Sequence, residues 1–172
     1  MRGWASFSAC ELYRYSLHRR WDAETASLHP GDGVSVPKGG RVCFCLLNPS
    51  TADAKVLDPT LKRCVTFARR WGASHMEVVN AFALRSTNPK GLKQVEDPNG
   101  KGNDRAIVRA AKRADLVVVG WGTHAALQDR HDAVLNLLEG ICTPHCFAVT
   151  KGGFPKHPLY LRGDSSVKPL RV

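Results

Sequence analysis

The chain has 172 residues, enough for one hydrophobic core without disulfide staples. Its 43% hydrophobic and 23% charged residues exclude a disordered protein, and no stretch approaches the roughly 20 apolar residues of a membrane helix. Twenty-five Lys and Arg against 15 Asp and Glu leave a net charge of +10, either a solvated basic surface or, the reading favoured here, the footprint of a polyanion partner.

Residues 11–17 (ELYRYSL) alternate as a half-buried strand does. Residues 22–40, with Pro30-Gly31, Gly33, Pro37 and Gly39-Gly40, predict a long loop. The apolar run 41–47 (RVCFCLL) predicts a strand buried on both faces. A helix follows from Pro59 to Trp71: Asp58 suits the N-cap, Pro59 the first turn, and Leu61, Cys64, Val65, Ala68 and Trp71 share one face before Gly72. Residues 77–83 predict the next strand, and 85–103 a surface loop. Asn103 is placed to cap a helix through Arg113, followed by a strand at 115–120 (DLVVVG). His124 to Glu139 predicts a helix burying Leu127, Val134, Leu137 and Leu138 and ending at Gly140, and 146–150 a last strand. This alternation implies a single α/β domain, a mostly parallel central sheet with helices on both faces in three layers.

Cys10, Cys43, Cys45, Cys64, Cys142 and Cys146 show no paired CxxC spacing and read as reduced core residues. Cys142-Thr-Pro-His145-Cys146 lacks a second ligand pair, so no metal is expected, and nothing calls for a cofactor. The N-terminus lacks the apolar core and cleavage site of a secretion signal, so the expectation is a cytoplasmic monomer without a membrane partner.

Ligands of such sheets bind beyond the carboxyl ends of the strands. Those ends carry Asn48-Pro49-Ser50-Thr51, Asn80, Arg85-Ser86-Thr87, Gly120-Trp121-Gly122-Thr123-His124, Lys151-Gly152-Gly153 and Lys156-His157-Pro158-Leu159-Tyr160-Leu161. Each has a plain structural reading as a turn, a packed indole or a satisfied amide. Asp53, Asp58 and Asp104 are read as capping and loop residues.

The order of these segments resembles the uracil-DNA glycosylase superfamily. LLNPSTAD matches the water-positioning loop at Asn48 and Pro49; VVNAFALRS offers Asn80 as the base-reading Asn; DLVVVG matches the buried strand ending in Gly; and HPLYL matches the His-Pro loop, with Leu161 four residues after His157. The chain also looks like an uncharacterised bacterial branch with an NPSTAD signature, DUF1643-like. The resemblance covers residues 41–161 and leaves 1–40 as an extension. It implies the three-layer glycosylase fold, DNA (double- or single-stranded) as partner, and base flipping before hydrolysis of the N-glycosidic bond. Asn48 would orient water and His157 would donate to the departing base, the two catalytic groups. Pro49, Ser50, Thr51, Asn80, Gly120, Trp121 and His124 would hold the base, and Lys151, Lys156, Leu161 and Arg162 the DNA, with Leu161 as the wedge filling the vacated stack. The base excised would be uracil or a modified or mismatched pyrimidine, because Ser50 stands where strict uracil enzymes have a bulky aromatic, which implies room for 5-substituents. Two other functions fit the same residues: a non-catalytic module for damaged or modified bases, and an enzyme on free nucleotides with a phosphate at the helix opening near Thr123.

Overall fold

The apolar run at 41–46 becomes a central strand of a seven-stranded sheet in the computed structural model, which describes residues 1–171. The strands are β1 (Arg2–Phe7), β2 (Arg14–Arg20), β3 (Arg41–Leu46), β4 (His75–Asn80), β5 (Leu116–Val119), β6 (His145–Cys146) and β7 (Lys168–Pro169), in spatial order β1-β2-β4-β3-β5-β6-β7. β4, β3, β5 and β6 run parallel. The β1/β2, β2/β4 and β6/β7 pairings are antiparallel. The expectation of a mostly parallel sheet is therefore corrected to a mixed one. Both edges of the sheet contribute: β2 and β7 run antiparallel to β4 and β6, and the unforeseen β1 is joined to β2 by a short turn. Such a turn can only return the chain antiparallel, and the resulting hairpin adds to the outer edge of β4.

Successive strand residues face opposite sides of the sheet, which divides the core in two. Val42, Phe44, Leu46, Met76 and Val78 pack with Leu61, Cys64, Phe67 and Ala68 of helix α1 (Pro59–Arg70). Cys43, Cys45, Val79, Val117 and Val119 pack on the other face with helices α2 (Asn103–Arg113) and α3 (Arg130–Leu138), through Ile107, Ala110, Val134 and Leu138. The result is a mixed α/β structure with a helix layer on each face of the sheet.

α1 begins as the sequence predicts: Asp58 Oδ1 accepts the Leu61 N–H at 2.9 Å. α2 has the expected span, but Asn103 does not cap it. Its amide instead donates to the carbonyls of Asn80 (2.8 Å) and Ala81 (3.2 Å), tying the helix start to the end of β4. The predicted helix from His124 to Glu139 is split. Residues Thr123–Asp129 form 3-10 turns that break at Leu127, with Gln128 and Asp129 at φ near +50°. The break lets Arg130 turn inward, where it donates to Ala81 O at 2.8 Å and pairs with Asp104 at 3.0 Å. β2 starts later than residue 11 because Glu11 takes a left-handed turn conformation (φ 61°). The strand expected at 77–83 is shifted to His75–Asn80, and the one at 146–150 shrinks to His145–Cys146. Cys43, Cys45, Cys64 and Cys146 are buried thiols and Cys142 is half-buried, whereas Cys10 is exposed in the β1–β2 turn, against the core reading. No helix among the described residues is long and apolar enough to cross a membrane.

Candidate functional site

A cavity of about 650 Å³ opens at the carboxyl rim of the parallel strands. It is lined by Asn48 and Ser50 after β3, Asn80 at the end of β4, Trp121 and His124 after β5, and Lys156 and His157 from the segment before β7. Four separate loops thus converge on one space. Several other expected residues stay outside the lining. Pro49 is buried beneath it, and Gly120 supports it: a Cβ at Gly120 would meet Lys156 O at 3.0 Å and Pro158 Cδ at 3.2 Å. A side chain at position 120 would require the His157 loop to give way slightly where it closes against the end of β5. Thr51 and Lys151 are exposed away from the lining, and Arg162 spends its charge on Asp164 at 3.1 Å. Leu161 is half-buried against the α1-side core. It is therefore not the projecting wedge the sequence suggested. Tyr160 takes that position, 94% exposed at the cavity mouth.

The Asn48 amide is held in one orientation. Its Nδ2 donates to Pro49 O (3.0 Å) and Ser86 O (2.9 Å), so both N–H bonds are used and Oδ1 remains as an acceptor. The Ser86 N–H also donates to Pro49 O, at 2.9 Å, stapling the loop to the chain beyond β4. His157 Nδ1 accepts the Leu159 N–H at 3.4 Å, which leaves the proton of a neutral imidazole on Nε2. Desolvation by the surrounding chain holds the His157 pKa below the usual imidazole value, with Asp58 pulling weakly the other way. In its neutral form the ring presents Nε2–H to the cavity as a donor. Trp121 is buried, its indole N–H donating to His131 Nδ1 at 3.0 Å, so it is a fixed wall of the cavity.

Arg14 was missed by the sequence reading. It is 2% exposed, lines the cavity, and donates to Ala52 O at 2.9 Å and to Asn80 Oδ1 at 3.4 Å. No carboxylate lies within 4 Å of it among the described residues, and burial lowers its pKa to about 10. No Asp or Glu lines the cavity at all. Asp53, Asp58 and Asp104 are occupied as loop, cap and Arg130 partners. The cavity therefore carries an uncompensated positive charge and a ring of neutral hydrogen-bonding groups, suited to a polar ligand that is anionic or becomes so. An Arg near the start of an alternating strand gave no sequence signal of this role, because only the antiparallel pairing of β2 with β4 brings it to the rim. No group of three or more His, Cys, Asp or Glu among the described residues is placed to hold a metal.

A family model, described as a protein of unknown function (DUF1643), matches residues 14–159. The chain belongs to the DUF1643 family. No curated protein and no solved structure matches it. The DUF1643 match begins at Arg14 and ends at Leu159, so it contains every cavity-lining residue except Tyr160. It also takes in β2, part of the segment that the sequence reading set aside as an extension.

Proposed function

We propose that this DUF1643 protein is a DNA glycosylase of the uracil-DNA glycosylase superfamily type, releasing a modified or mismatched pyrimidine that has been turned out of the helix. The observation that carries the reading is the convergence of Asn48, Asn80 and His157 on one cavity, with Asn48 Oδ1 left as an acceptor and His157 Nε2 as a donor. In the reaction, water oxygen bonds to the sugar C1′ as the C1′–N bond breaks. The bonding pair leaves with the base as an anion, and the proton that the attacking water loses passes to solvent, from which the released base is protonated. Asn48 Oδ1 accepts a hydrogen bond from the attacking water and orients it. An amide is a weak base, so the barrier is lowered mainly at the leaving group. His157 Nε2–H donates to the developing anion, an interaction typically worth about 3 kcal/mol. The buried charge of Arg14 favours the same anion from the side of Asn80, which holds the edge of the base. Tyr160 replaces the base in the stack and Lys156 meets a flanking phosphate.

Incubation with duplexes and single strands carrying a panel of modified pyrimidines, followed by analysis of the released material, tests this. Free base and an alkali-labile site from at least one substrate are expected; absence of base release across the panel overturns it.

A second reading is supported by the acid-free lining and by Arg14: a receptor or enzyme for a free nucleotide, with the phosphate on Arg14. The helix opening once expected to hold that phosphate near Thr123 is a broken 3-10 segment, so Arg14 would carry it instead. Binding of a nucleoside monophosphate more tightly than an oligonucleotide favours this second reading.

A further inference from the structure

We propose that the groove between α2 and the β1–β2 hairpin binds the sugar–phosphate backbone of a polynucleotide. The groove has a volume of about 430 Å³ and shares no lining residue with the cavity at the strand ends. Lys101, Arg105 and Arg109 line one side, and Ser6, Tyr15 and Ser16 the other. It exists because the hairpin extends the sheet past the edge that α2 covers.

Arg105, Arg109 and Arg113 follow one another at four-residue intervals and so stack on one helix face. Like charges at that spacing repel and destabilise a helix. Glu77 pairs with Arg113, but no acid relieves Arg105 or Arg109. Asp104 is bound to Arg130 and Asn99, and the only acid in the groove, Glu77, is already bonded to Arg113. Among the described residues no carboxylate lies within 4 Å of Lys101, Arg105 or Arg109. Trp4 stands on the hairpin two residues from Ser6, 38% exposed and stacked on His18 at 4.8 Å. A row of unpaired cations facing hydroxyls and aromatic rings matches a chain of phosphates joined by sugars and bases, where cations track the backbone and rings take the flat surfaces. An acidic peptide would use the cations alone.

The test is anisotropy of a labelled oligonucleotide of unmodified bases, titrated over a series of salt concentrations. The double variant Arg105→Gln/Arg109→Gln is expected to reduce the slope of log K against log salt by about 1.4–1.8, at roughly 0.7–0.9 per lost contact. Arg105→Lys/Arg109→Lys is expected to retain the slope, because the charge is kept. Poly-glutamate is expected to compete weakly. An unchanged slope in the Gln variant overturns the proposal, as does poly-glutamate binding as tightly as the oligonucleotide. Should the Gln variant fail to fold, Lys101→Glu, in the exposed turn before α2, is expected to lower the slope by about 0.7–0.9, and no change there overturns it equally.

Discussion

Two buried charges on adjacent strands are treated in opposite ways. Glu77 on β4 is 0% exposed and well partnered: Arg113 bonds it through both Nε and Nη2, Arg41 lies 3.9 Å away, and the His18 imidazole lies 3.6 Å away. Arg14 on β2 is almost as buried, yet its partners are one carbonyl and one long contact to an amide. Even Arg19, its neighbour on β2, is better served, donating to the carbonyls of His18, Asp53 and Val56. A buried charge that the fold itself neutralises belongs to the architecture. A buried charge left open to a cavity carries a desolvation cost unless something from outside supplies the opposite charge.

The largest effect expected from this contrast is at Glu77. Arg113→Ala should cost about 3 kcal/mol in urea unfolding, because it strips the main partner from a carboxylate that cannot reach water. A cost below about 1 kcal/mol would mean that Arg41 and His18 suffice.

Next comes pH. Burial lowers the pKa of both His18 and His75 to about 4 from an ordinary 6.5, with Arg41 reinforcing and Glu77 opposing in both. Between those values the unfolded chain binds more protons than the folded one. Stability is therefore full above pH 6.5 and is lost as the pH falls towards 4. Melting temperatures across that window check it, and His75→Asn should make the decline shallower.

Arg14→Met should change stability by no more than about 1 kcal/mol, and in the stabilising direction if the uncompensated charge outweighs the lost bond to Ala52. The same variant should lose ligand binding in the cavity, measured by calorimetry. A loss of stability as large as that of Arg113→Ala would break the contrast. The smallest effect is at Asp58, the acid that most favours the charged form of Arg14. Asp58→Asn keeps the cap acceptor for the Leu61 N–H while removing the charge, so a change under about 1 kcal/mol is expected in the same unfolding experiment.

The core strands and α1 were legible because their signals are local: a continuous apolar run, a Pro after an Asp, an apolar stripe at helical spacing. The convergence of Asn48, Asn80, Trp121 and His157 followed from the rule that strand ends meet at one rim. What escaped depended on distant partners. β1 is an alternating edge strand whose place is set by pairing with β2, and Arg14 reaches the rim only through that hairpin. The break before α3 arises from bonds that Arg130 makes to Ala81 and Asp104, far away in sequence. Tyr160 and Leu161 exchange places because the short turn at Pro158–Tyr160 rotates one outward and the other onto the core, a difference that adjacent apolar residues do not announce.

The most direct test of the cavity chemistry is the rate of base release from DNA bearing a modified pyrimidine, compared between the natural protein and His157→Ala. Release of free base, slowed on the order of 100-fold by the substitution, is predicted. No free base from the natural protein, or equal rates from the two, would contradict it.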